Sequence, residues 1–190
     1  MKVFYVSICM PKASSMMFNS MPALHMNKDY NSDSSVSGSI AFSGEGQDKD
    51  GRLVQLQPGL HVQAARQLLT LCMGDAQHIE AIYTQYAAGN SRYLYGWLQK
   101  GDLAGILGIH ICSADRHEIA HLAVDPAHQH AGIGSRLIQT YRGKYAHIQL
   151  FAETDHEAVG FYRKNGFVIS SLGEKYAGVE RFHCVLSADC

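Results

Sequence analysis

A chain of 190 residues has room for one full domain with a sizeable core, or for one domain and a tail. Its apolar fraction of 46% is ordinary for a globular protein, and a net charge of -1 gives no electrostatic case for nucleic acid as a partner. No apolar run approaches the roughly 20 residues of a bilayer span, so no membrane partner is expected. The five cysteines, Cys9, Cys72, Cys112, Cys184 and Cys190, are scattered, and none forms a C-x-x-C pair. Neither a disulfide framework nor a zinc motif is suggested, and incidental thiols of a reducing compartment are the plainer reading.

Residues 1–50 differ in composition from the rest. Six of the seven methionines fall within the first 26 residues, and Ser32 to Gly46 is rich in Ser and Gly. Without a sustained hydrophobic period, this stretch reads as a poorly ordered extension with no chemistry of its own. Lys2 followed by Val3 to Met10 has a leader-like look, but Ser7 interrupts the run and no small-x-small cleavage site follows. A cytoplasmic location is the expectation.

Residues 51–190 form the expected folded domain. Leu53 to Leu56 reads as a short strand stopped by Pro58-Gly59. Ala65, Leu68, Leu69 and Cys72 recur at i, i+3, i+4 and i+7, the apolar stripe of a helix ending at Gly74. Asp75 is the expected N-cap of a second helix, with Ile79, Ile82, Tyr83 and Tyr86 as its stripe and Gly89 as its end. Tyr93 to Gln99 and Leu103 to Cys112 make a hairpin across Lys100-Gly101-Asp102, and His117 to Val124 is a strand closed by Asp125-Pro126. A helix from Gly132 to Tyr141 should stop at Gly143, followed by a strand from His147 to Glu153 and a helix from Glu157 to Lys164 ended by Asn165-Gly166. Phe167 to Leu172 and Val179 to Leu186 close the chain, joined by a segment from Glu174 to Glu180 that either loops toward a substrate or forms a plain hairpin. The order β-α-α-β-β-β-α-β-α-β-β implies an α/β (α+β) fold, a mixed sheet with helices on its faces.

The strongest chemical signal is Gln129-His130-Ala131-Gly132-Ile133-Gly134-Ser135, between a strand and a helix. A glycine-rich turn that opens a helix aims backbone N–H groups and the positive end of the helix dipole at an anion. A P-loop would need Gly-Lys-Ser/Thr, which Ser135-Arg136 does not supply. A dinucleotide site would want a third glycine where Leu137 stands.

With Val124-Asp125-Pro126 as its lead-in, Gln129-x-x-Gly132-x-Gly134 resembles the signature of the GCN5-related N-acetyltransferase (GNAT) superfamily. A second motif of that family, Asn-x-x-Ala-x-x-x-Tyr followed by Gly-Phe, is matched by Asp155, Ala158, Tyr162 and Gly166-Phe167, with Asp in place of Asn. The resemblance covers about residues 52–186 and implies the acyl-CoA N-acyltransferase fold, a mostly antiparallel mixed sheet with flanking helices. It implies acetyl-CoA as the acyl donor, held in a V-shaped cleft between the fourth and fifth strands. Backbone groups of Leu122, Ala123 and Val124 would pair with pantetheine. N–H groups from Gln129, His130, Ala131, Gly132, Ile133, Gly134 and Ser135 would hold the pyrophosphate, with Asp155 and Ala158 nearby.

The resemblance also makes Tyr162 the acid that protonates the leaving thiolate. An attacking alkylamine of pKa about 10.4 must lose a proton at neutral pH, so a base or a water relay is required. Glu118 precedes Gln129 by 11 residues, the spacing of the catalytic glutamate in histone-modifying members. His121 is the rival, since arylalkylamine acetyltransferases use histidines on this strand. In a regular strand the odd separation of 118 and 121 points them to opposite faces, and Glu118 is preferred. No histidine pair stands at metal-binding spacing on a helix, so no metal is expected. The expected partner is a small-molecule amine or amino acid. A protein N-terminus or lysine, or a non-catalytic acyl-CoA sensor, are the alternatives, and a homodimer is left open.

Overall fold

The computed structural model describes residues 51–73, 78–176 and 178–188. The extension at residues 1–50, the Gly74 stop and the Asp75 cap lie outside the described residues. The strands are β1 (Arg52–Gln55), β2 (Arg92–Gln99), β3 (Asp102–Ser113), β4 (Arg116–Val124), β5 (Gln149–Asp155), β6 (Val168–Tyr176) and β7 (Val179–Leu186). The helices are α1 (Val62–Met73), α2 (Ile79–Ala88), α3 (Ile133–Lys144) and α4 (Val159–Lys164).

One seven-stranded sheet runs in the order β1-β2-β3-β4-β5-β7-β6. Every neighbouring pair is antiparallel except β4 with β5, so the sheet is mixed and mostly antiparallel. Strand alternation turns Leu94, Ile106 and Ala123 to one face, where they pack with Ala65, Leu68, Leu69 and Cys72 of α1 and with Ile79 and Tyr86 of α2. Leu107, Ile109, Ile119 and Leu122 turn to the other face, against Ile133, Leu137, Ile138 and Tyr141 of α3 and Val159 and Tyr162 of α4. Among the described residues, no helix is long and apolar enough to cross a membrane.

Helix α2 has His78 at its N-cap. Helix α3 does not stop at Gly143 but runs to Lys144, where the Tyr145 N–H closes the last turn on the carbonyls of Tyr141 and Arg142. Of the two readings of the segment after Leu172, the plain hairpin holds: β6 continues past the expected end at Leu172 to Tyr176 and pairs with β7 through Glu174↔Glu180 and Tyr176↔Val179.

Candidate active site

Strands β4 and β5 pair in parallel only through Arg116↔Gln149, His117↔Leu150 and Glu118↔Phe151. Beyond Glu118 the two strands part, while β4 continues to Val124 bonded to β3 on its other side. The flank of β4 from Ile119 onward therefore lies open toward β5, the geometry an extended ligand chain needs to pair as an added strand.

At the end of this opening Asp125 accepts the Ala127 N–H at 2.8 Å and caps the 3-10 turn Pro126–His128. The chain then reverses through His130 (φ 64) and Gly132 (φ 78), both left-handed. Gly132 suits that conformation, whereas His130 adopts it at a cost that only a fixed loop can hold. The first reach-back into the loop is Arg136 N–H to Gly132 O at 3.0 Å, so the amides of Ile133, Gly134 and Ser135 precede the first helical hydrogen bond. They and the helix dipole converge on one spot.

A cavity of about 430 Å³ fills this corner, lined by Leu122, Ala123, Val124, Gln129, His130, Gly132, Ile133, Gly134 and Ser135. His128, Phe161 and Lys164, none of them singled out from the sequence, complete the wall. Phe161 and Lys164 are three apart on α4, so they share a helix face, and both line the opening. Gly134 is needed for space: a Cβ there would stand 3.2 Å from the Phe161 ring. Apolar walls, helix-start amides and a cationic rim fit the acyl-thioester, amide and pyrophosphate parts of acetyl-CoA.

Ala131 is exposed and does not line this cavity. Asp155 is not at the wall either. Its Oδ1 accepts the N–H groups of Glu157 (3.0 Å) and Ala158 (3.2 Å), and its Oδ2 lies 4.0 Å from Arg181 Nη1. The carboxylate thus starts α4, which explains why Asp serves at this position and gives it a task other than touching a ligand. Ala158 is fully buried beneath that turn.

Tyr162 sits deeper, 1% exposed, between the rings of Phe161 and Phe167 set edge-on at 5.3 and 5.2 Å. Its hydroxyl has no hydrogen-bond partner among the described residues, which is costly for a buried donor. Burial, reinforced by Cys184, Cys72 and Asp155, raises its pKa well above the ordinary phenol value, so the proton stays on.

On the α1/α2 face lies a polar group of a different kind. The β3–β4 register slips between Gly108↔His121 and Ile109↔Ile119, leaving Ala120 as the extra residue of a β-bulge. Glu118 pairs with His110 and His121 with Gly108, two β3 positions of one face, so Glu118 and His121 share a face. The regular-strand expectation of opposite faces is corrected here. Glu118 Oε2 stands 3.0 Å from His110 Nδ1, with 15% of its side chain exposed. His121 is 1% exposed, and its Nδ1 lies 2.6 Å from the Tyr86 hydroxyl. Burial, and then the charge of Arg92, push the His121 pKa down to about 4, so the ring is neutral at physiological pH.

The match to known proteins follows the same segments. Residues 89–169 match the model of the acetyltransferase (GNAT) domain. An uncharacterised N-acetyltransferase encoded in the lysA 3′ region of Bacillus methanolicus is 29% identical over 76 residues, 40% of this chain and 63% of that protein. The match thus spans under two thirds of that relative. A GNAT-family acetyltransferase from Elizabethkingia anophelis, solved with acetyl-CoA bound, superposes with a TM-score of 0.57 at 19% identity, covering 73% of this chain and 99% of its own. Spermidine N-acetyltransferase from Vibrio cholerae, in complex with CoA and spermine, superposes at 0.59 with 16% identity, covering 71% and 94%. With its seven-stranded sheet, its parted β4 and β5 and its glycine loop at the head of α3, the chain is similar in fold to GNAT acetyltransferases, and residues 89–169 match that domain's model.

Proposed function

We propose that the protein is an acetyl-CoA-dependent N-acetyltransferase acting on a primary amine of a small molecule or amino acid. The observation that supports this most is the opening of β4 from β5 beside the unpaired amides at the head of α3, with both motifs of the family built around it. Leu122 to Val124 would hold the pantetheine arm, and the amides of Ile133 to Ser135 the pyrophosphate, with Lys164 adding positive charge at the rim. The acyl group would then reach the gap between β4 and β5, with α3 and α4 on one side of the sheet and the Glu118–His121 face on the other.

An amine arriving from the α1/α2 side would meet Glu118 first. His121 is the poorer base, because burial opposes its protonation. Glu118 takes the amine proton, directly or through water. The nitrogen bonds to the thioester carbonyl carbon, the C–S bond breaks, and Tyr162 supplies the proton that the thiolate acquires. The spermidine enzyme, which this fold resembles, is in keeping with an amine acceptor. The three described cysteines, Cys72, Cys112 and Cys184, are all free, which accords with a reducing, cytoplasmic setting.

The test is calorimetric. Acetyl-CoA should bind the full chain, and Gly134→Val should abolish binding by driving Phe161 into the cavity, with the far-ultraviolet circular dichroism spectrum unchanged. Wild-type affinity in Gly134→Val overturns the assignment of the cavity.

A further inference from the structure

On the α1/α2 face, the side chains around Glu118 include three ligating groups of different chemistry. His110 and Cys112 are two apart on β3, and Glu118 pairs with His110 across the β3–β4 ladder. Glu118 Oε2 is 3.0 Å from His110 Nδ1, and Cys112 Sγ is 3.7 Å from the same nitrogen. All three ligand atoms lie within 4.8 Å of one another. Zinc bonds of about 2.0–2.3 Å in a tetrahedron place ligand atoms roughly 3.3–3.8 Å apart, so side-chain adjustments of a few tenths of an ångström to about one ångström complete such a site.

We propose that His110, Cys112 and Glu118 form a binding site for a zinc-like divalent transition metal, with the fourth coordination position open to solvent. The donor set selects the metal class. Thiolate and imidazole favour zinc and its neighbours over magnesium or calcium, which demand oxygen ligands. Access is direct, since Cys112 is exposed while Glu118 and His110 stand just beneath it. The local charges are mixed. Burial and Glu118 raise the pKa of the Cys112 thiol, while Arg116 and Arg92 lower it, and a bound metal would displace the thiol proton outright. The Arg116 guanidinium is engaged over the Phe151 ring at 4.3 Å, and with two anionic ligands facing it a divalent ion is neutralised.

The consequence rests on the reading that Glu118 takes the amine proton. A metal on Glu118 holds the carboxylate deprotonated and lowers its basicity toward the amine proton, so zinc should inhibit acetyl transfer without competing with acetyl-CoA, which would bind from the other face.

Cobalt(II) titration of the chelator-treated, reduced full chain tests the site independently of activity. One equivalent should produce a thiolate-to-cobalt charge-transfer band that zinc displaces. Cys112→Ser should remove the band, and Glu118→Gln should weaken cobalt binding on the order of 10-fold or more. Absence of the band, or its persistence in Cys112→Ser, overturns the proposal. In acetyl-transfer assays zinc should inhibit the full chain, and this inhibition should disappear in Cys112→Ser. A Cys112-dependent band with undiminished transfer upholds the metal site and overturns its link to Glu118 as base.

Discussion

Glu118 and His121 stand on one face of β4 although three residues separate them, because Ala120 is squeezed out of the β3–β4 register. The bulge brings a partly exposed carboxylate and a deeply buried imidazole to the same side of the sheet. It also gives them different work. His121 is held by Tyr86, whose hydroxyl fits only because Gly108 lacks a side chain: a Cβ there would overlap the Tyr86 oxygen. Glu118 instead meets His110 at the edge of that face, Oε2 to Nδ1 at 3.0 Å.

Glu118→Gln keeps the size of the side chain and its contact with His110 but cannot accept a proton. In chelator-treated enzyme it should lower kcat/KM by about 10²-fold at neutral pH, within the usual range for a general base. Part of the loss should return at high pH, where more of the amine is already neutral. The measurement is kcat/KM against pH with a saturating acyl donor. A variant as fast as the wild type at neutral pH would remove Glu118 from the mechanism.

Tyr162 is buried, keeps its proton, and has a hydroxyl without a partner among the described residues. A group that acts only as the thiolate leaves contributes to the transition state and little to ground-state binding. Tyr162→Phe should therefore lower kcat by about 10²-fold or more and leave the KM for acetyl-CoA within a few fold. It should not lower stability, since it deletes a donor that finds no acceptor in the free protein. Steady-state kinetics beside a urea melt separate the two roles. Normal turnover with altered stability would leave Tyr162 a packing residue between Phe161 and Phe167.

The elements of the domain were legible from Leu53 to Leu186 because their cues are local. The stripe Ala65, Leu68, Leu69 and Cys72 is buried as written, and Gly89 caps α2 in the left-handed conformation. The loop from Gln129 to Ser135 was legible for the same reason, since a turn that opens a helix is encoded in consecutive residues. What escaped depends on contacts between distant segments. The bulge at Ala120 follows from how β4 registers on β3 beside Gly108 and Tyr86, which no period within β4 reveals. The ion-pair partner of Asp155, Arg181, comes from β7, which no motif around Asp155 reveals. Lys164 joined the cavity wall only once α4 was placed against the head of α3.

His121 should make stability depend on pH in a defined window. Its folded pKa of about 4 lies below the ordinary 6.5, first through burial and then through Arg92. Between those values the unfolded chain binds a proton that the folded chain refuses, so stability rises with pH across the window. The contribution is fully present above about pH 6.5, declines as pH falls toward 4, and is lost below that. A shift of this size corresponds to roughly 3 kcal/mol. His121→Gln can still accept from the Tyr86 hydroxyl but carries no titrating group, so it should remove this part of the acid sensitivity. Urea unfolding at about pH 7 and about pH 4.5 provides the comparison, because the carboxylates that also titrate there are common to both proteins. The wild type should lose on the order of 2–3 kcal/mol more than His121→Gln between the two conditions. Equal losses would mean that His121 accepts a proton inside the folded protein, and that burial does not hold it neutral.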